Sequence, residues 1–483
     1  MSETWPDVLA IDAWAGDAEG VIEGPVADTA RRWAEEKHLP DRPAPLAADE
    51  PADERDWWDA RVGWGLVLPD DDTLSADDKA VAADAPPAIQ RLLAARSKRI
   101  ADEAGDPNLR APVLRWRADL SNDHLRRYDP GHAPQDLDIS GSRRGVGRGR
   151  LPRYLLLVGE PKVLPWEAQY VLGALAFVGR LALADDALER YVDHLLDGWS
   201  TSRCVAAQPV VWAVEESPSD ITGLMRRTIV VPVFNAYAAD AQILDRATLL
   251  QHADATQDKL GDALTTHKPA VILTSSHGAT SPLDDADAMR ARLGLPIDAT
   301  HAALDPAALL GAWQPDGAIW YAHACCSAGA DGTAPYRGLA TPGSSVDRVL
   351  EGVAAVGAQI APLPTALLSA AKPARAFVGQ VEPTFNWTLQ HPDTGQALTD
   401  GLHAALYDGL FRTRPEPVAM AFRRHHAAVG RLFGRYFRAK RDIVRGREGA
   451  HTRALRAQLT ALDRQSLVVL GDPTVAPPAL GAG

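Results

Sequence analysis

Residues 270–280 read AVILTSSHGAT and residues 318–329 read AIWYAHACCSAG, and the fold turns on reading these as one device used twice. Each is a short continuous apolar run that stops at a chemically versatile side chain, His277 or Cys325, and continues in small residues. A run of that length without a polar face is the pattern of a strand covered on both sides. Similar runs occur outward from this pair: YLLLVG from 154, LAFVGRLAL from 175, PVVWAV from 209, TIVVPVF from 228 and ARAFVGQV from 374. We expect strands at all of them. Helical patterns lie between, in ADDALERYVDHLLDGW from 184 and in a long helix expected over DRATLLQHADATQDKLGDALTTH from 245. GVAAVGAQIA from 352 fits a helix or a strand. Short apolar strands alternating with helices imply an α/β fold: a mainly parallel sheet with helices on both faces. Chemistry in such sheets gathers at the carboxyl ends of the strands, where both His277 and Cys325 fall.

The first 150 residues are rich in Asp, Ala and Pro, as in HLPDRPAPLAADEPADERDWWDA from 38. They offer one helical stretch, PAIQRLLAARSKRIADEA from 87, and one early buried strand in DVLAIDA from 7. The division expected is an N-terminal region of unknown role over 1–150, a first α/β subdomain over 151–207 that continues into the main body, and that body over 208–480. At 483 residues the chain is too long for one small core.

With a formal charge of −13 the chain as a whole repels nucleic acid and anionic membranes, so neither is expected as a partner. GSRRGVGRGR from 141 is a local basic exception, read as a mobile, solvated loop. No leader pattern and no run approaching a membrane span is present, and a cytoplasmic location is expected. The three cysteines, Cys204, Cys325 and Cys326, make no disulfide framework and no zinc spacing. His323, Cys325 and Cys326 are soft ligands close in sequence. Along a strand, however, neighbours point to opposite faces, so no metal is expected on them, and no cofactor is expected elsewhere.

A lone cysteine in an Ala-rich strand is ordinarily a small core residue, and a lone histidine says little more. Their conjunction at the ends of two adjacent strands is more specific, with the histidine about fifty residues upstream. SSHG and HACCSAG resemble the His-Gly and Ala-Cys motifs of the caspase-like cysteine peptidases, the group that includes caspases, gingipains, separases and bacterial CHAT domains. YLLLVGEPKVLPW, ARAFVGQVEPTFNWTL and LVVLGDPTV are similar, in the same order, to segments of gingipain-like and CHAT catalytic regions, so the resemblance covers about 154–475. It implies a Cys-His dyad of Cys325 and His277, with the amides of Gly278 and Cys325 as oxyanion donors. It also implies a protein or peptide substrate, a regulatory protein partner and a regulated executioner role in bacterial stress or defence.

In that family the specificity pocket is walled by three segments, which here are VEESPSD from 214, His323, and QVEPTFNW from 380. Glu216, Asp220, Glu382 and Trp387 are thereby the expected substrate-binding residues with His323. The acids, Glu215 included, point to cleavage after Arg or Lys. Two other readings compete: a catalytically silent binding module of the same family, and a hydrolase using Ser275 or Ser276. No G-x-S-x-G elbow supports the second.

Overall fold

A computed structural model describes residues 8–14, 22–27, 30, 52–120, 123–243 and 246–481. At its centre is a twelve-stranded sheet. From one edge its strands are Thr248–Gln251, Val210–Ala213, Val271–Ser275, Ile319–His323, Ala376–Gln380, Leu467–Gly471, Phe177–Leu181, Tyr154–Val158, Trp64–Pro69, Val113–Trp116, His124–Tyr128 and Gln135–Asp138. The first five are mutually parallel. Every residue of Val271–Ser275, Ile319–His323 and Tyr154–Val158 is buried, which accounts for the missing polar face in those stretches. Helices flank the sheet.

Numbered by chain order, the first five strands run 2-1-3-4-5 across the sheet. Between the first and third the order reverses, the point at which ligands generally bind in sheets of this kind. The loops carrying Asp220 and His277 flank that point, and the loop carrying Cys325 follows the next strand.

Leu467–Gly471 sits between the two halves of the sheet. It runs antiparallel to Ala376–Gln380 and meets Phe177–Leu181 in parallel at Leu470 and Arg180. One core cluster holds Leu66, Leu156, Phe177, Tyr321, Phe377 and Leu470. The sheet runs unbroken across residues 150 and 207, and residues 64–138 supply four of its strands. Among the described residues no helix is long and apolar enough to cross a membrane.

Two expected elements differ. TIVVPVF is helical, and Val231–Ala239 begins with Pro232 in its first turn. Proline lacks the N–H that a central ladder needs but fits the first turn of a helix. The long helix from 245 is divided instead: Thr248–Gln251 is the edge strand, and Gln257–His267 is a helix capped by the Thr256 side chain. The basic loop near 141 is folded back on the body, with the Gly145 amide donating to Leu151, the Val146 amide to Ala60, and Arg144 buried.

Candidate active site

The two motif loops touch. A Cβ placed on Gly278 would meet the Cys325 carbonyl oxygen, with the Cys325 carbonyl carbon at 2.9 Å and nitrogen at 3.0 Å. Glycine is required here by the backbone of the Cys325 loop. Gly294 serves the neighbouring residue in the same way, lying against the Cys326 carbonyl.

His277 is buried between two carboxylates. Its Nε2 lies 3.2 Å from Asp220 Oδ1, and its Nδ1 lies 2.9 Å from Asp12 Oδ1. Asp220 is fixed by the fold, because it caps the helix Ile221–Met225 and accepts the Thr222 amide at 2.8 Å. Burial alone would lower the His277 pKa, but the contacts with Asp12 and Asp220 outweigh it and raise the group to about 10. Burial also raises Asp12, to about 6, against the lowering contact with His277. The same histidine, with Thr222, holds Asp220 below the usual carboxylate range despite its burial.

Cys325 is fully buried. Its amide donates to the Asp12 carbonyl at 3.0 Å, and its Sγ accepts the Thr384 amide at 3.2 Å. Burial pushes the thiol well up, with Asp12 and Cys326 nearby adding to the shift. Cys326 is also buried, but its backbone is left-handed at φ 57 and its amide donates to the Glu382 carbonyl at 3.3 Å. Both cysteines lie in the turn that follows the strand Ile319–His323, with Cys326 at its left-handed position. All three cysteines are free thiols.

The expected pocket residues are placed unevenly. Asp220 is committed to His277 rather than standing free as a pocket wall. Glu382 is buried and accepts the Asp331 amide at 2.8 Å. Glu216 contacts His301 at 3.0 Å, and the His301 ring packs at a tilt against Trp14, with centroids 4.7 Å apart. Glu215 lies 3.6 Å from Arg226, so that wall also carries a cation. His323 is buried, with Nδ1 at 2.9 Å from the Tyr321 hydroxyl, and burial lowers its pKa to about 4, keeping it neutral. Trp387 packs in the same buried cluster as Cys325 and Phe385. No group of His, Cys, Asp and Glu among the described residues is arranged to hold a metal ion.

Asp12 and Thr384 reach the site without having been singled out in the sequence. A carboxylate inside the apolar run VLAIDAW was the available signal for Asp12, since acids are rarely fully buried unless paired.

No family model and no curated protein matches the chain. Two solved structures do. One is the complex of Porphyromonas gingivalis RgpB pro- and mature domains, at 12% identity and TM-score 0.38, covering 68% of this chain and 66% of that one. The other is the Arg-specific cysteine proteinase gingipain R, at 12% identity and TM-score 0.34, covering 68% and 65%. The chain thus spans just under two thirds of each solved chain that it matches. A likeness this distant assigns no residue.

Proposed function

We propose that the chain is a caspase-like cysteine endopeptidase in which Cys325 is the nucleophile, His277 the acid and base, and Asp220 the group that orients His277. The observation that carries this is the packing of the His277 and Cys325 loops on one another at the carboxyl edge of adjacent parallel strands. In the reaction, the Cys325 sulfur bonds to the substrate carbonyl carbon while the Cys325 amide steadies the oxyanion. The imidazolium of His277 then gives its proton to the departing amine as the carbon–nitrogen bond breaks. Water, deprotonated by His277, attacks the thioester and releases the acid and the thiol. Asp220 on Nε2 leaves Nδ1 as the ring nitrogen that serves the reacting atoms.

Cleavage after Arg or Lys is the specificity that we infer, resting on Glu382 and Glu216 now that Asp220 is committed to His277. A buried carboxylate holds a cation strongly and leaves an acidic side chain unpaired. Fluorogenic peptides ending in Arg, Lys, Asp or Leu test it, and a preference for Asp overturns it.

The dyad is tested by turnover of the same peptides in Cys325→Ala and Cys326→Ala, each alone and combined with Asp12→Ala. Cys325→Ala is expected to be inert and Cys326→Ala to keep most activity, because the Cys325 backbone meets the Asp12 that contacts His277, whereas the Cys326 amide turns to the Glu382 carbonyl. The reverse outcome overturns the assignment.

A further inference from the structure

A nucleophile that no solvent reaches cannot attack a protein, and both members of the dyad are buried: Cys325 is 0% and His277 2% exposed. The cover is the chain's own segment 8–14. We propose that this segment is a built-in inhibitor lying in the cleft that takes an extended peptide, with Asp12 at the position of the residue whose carbonyl is attacked. The inference rests on the proteolytic reading of the site.

The backbone carries the argument. Ile11 bridges Phe385 in antiparallel sense, and the Asp12 amide donates to the Thr384 carbonyl at 3.1 Å. The Asp12 carbonyl accepts the Cys325 amide at 3.0 Å, the donor that the mechanism reserves for the oxyanion. Beyond it, Ala13 and Trp14 run parallel to Gly278 and Ala279, and the Thr280 amide donates to the Trp14 carbonyl at 2.8 Å. An extended segment is therefore held along one side by Thr384–Phe385 and along the other by the loop of the catalytic histidine. Main-chain pairing of this kind is how extended peptides bind a sheet edge, with alternate side chains filling pockets. Leu9, Ile11 and Ala13 are those side chains, each 0% exposed and clustered with Cys325, Phe385 and Trp387.

The Asp12 side chain makes the occupant inhibitory. A reactive cysteine-histidine pair depends on a thiolate balanced by an imidazolium. Here the anion facing His277 Nδ1 is the Asp12 carboxylate, while the Asp220 carboxylate takes Nε2. Neither ring nitrogen remains for the thiol or for a leaving amine. The Thr384 amide, meanwhile, donates to the idle sulfur. A second anchor holds the segment down: Val8–Ile11 pairs antiparallel with Ile22–Pro25, and Val26 bridges Ala340.

The test reads the thiol directly and needs no substrate. Full-length wild type, Asp12→Ala and Ile11→Glu are treated with iodoacetamide, and alkylation of Cys325 is followed by peptide mass spectrometry. Both variants are expected to react about 10- to 100-fold faster than wild type, Asp12→Ala through loss of the buried ion pair with His277 and Ile11→Glu through the cost of burying a charge among Leu9, Phe385 and Trp387. A synthetic peptide of residues 8–14, VLAIDAW, should slow the variants again. Should Ile11→Glu fail to melt cooperatively, Asp12→Ala with added peptide decides alone. Unchanged alkylation in a folded variant overturns the inhibitor. Faster alkylation without hydrolysis of any of the four fluorogenic peptides upholds segment 8–14 as the cover over Cys325 and overturns the peptidase, and with it the inhibitory role.

Discussion

Replacing Gly278 with alanine isolates the contact on which the site is built. Gly278 has no positive φ, so alanine is allowed by the backbone, and the whole penalty comes from space. The added Cβ would stand 2.9 Å from the Cys325 carbonyl carbon, with the carbonyl oxygen nearer still. Carbon atoms rest at about 3.5–4.0 Å, so backbone must move by roughly 0.6 Å or more, where no flexible side chain can yield. Overpacking typically costs about 1–3 kcal/mol, and a clash against buried backbone belongs at the top of that range, near 3 kcal/mol. Gly430→Ala and Gly434→Ala are the matched controls. Both glycines lie in the helix Arg423–Val444 with nothing within 4 Å of the new atom. Each control should stabilise by about 0.5–1 kcal/mol, the ordinary gain from removing a helical glycine. Urea titrations followed by circular dichroism report the midpoints, and an unchanged slope confirms that stability alone has moved. A Gly278→Ala midpoint at or above wild type would refute the claim that this position is reserved by the Cys325 backbone.

Other expectations follow from the buried charges. Asp472, which accepts from Trp64 Nε1 and from Arg96 Nη2, each at 3.2 Å, ties the two halves of the sheet. Asp472→Ala leaves Arg96 buried without its anion and should cost about 3–5 kcal/mol in the same titration, while Asp472→Asn should cost less. Asp220→Asn removes one of the two anions on His277, so the histidine should titrate at lower pH in an NMR experiment on labelled imidazole. The helix cap should survive the change, because asparagine caps about as well as aspartate. Because the folded pKa of His277 is raised to about 10, its contribution to stability is fully present below about 6.5 and fades as pH rises through 10. The urea midpoints of wild type and His277→Gln should therefore converge between pH 6.5 and 10.5, and a constant gap would refute the ionised triad.

The half that carries His277 and Cys325 was legible because its strands are short and fully buried, as in Val271–Ser275 and Ile319–His323, and because a histidine and a cysteine follow two of them. The far edge of the sheet was not. His124–Tyr128 reads HLRRY, and its arginines are explained only by partners that the fold brings to them, Arg126 by Asp136 on the next strand and Arg127 by Asp129 and the carbonyls of Val146 and Gly147. TIVVPVF had the composition of a strand, and apolarity over seven residues does not separate a buried strand from a buried helix. Asp12 was hidden for a different reason. Its partners lie hundreds of positions away, and no local spacing announces an ion pair closed by tertiary structure.

The placement of Leu467–Gly471 bears on how the chain is made. On the ribosome the strands from Trp64 to Leu181 emerge first and those from Val210 to Gln380 much later, yet the strand that sits between them is the last of the twelve to be synthesised. Until it arrives, Phe177–Leu181 and Ala376–Gln380 both present open edges, the kind of surface that pairs indiscriminately with other chains. Pairings between such distant segments close slowly. The interval between translation of the Cys325 loop and insertion of this strand is therefore when the nascent protein most needs a chaperone, and a slow final folding phase should coincide with the burial of Leu470 against Arg180.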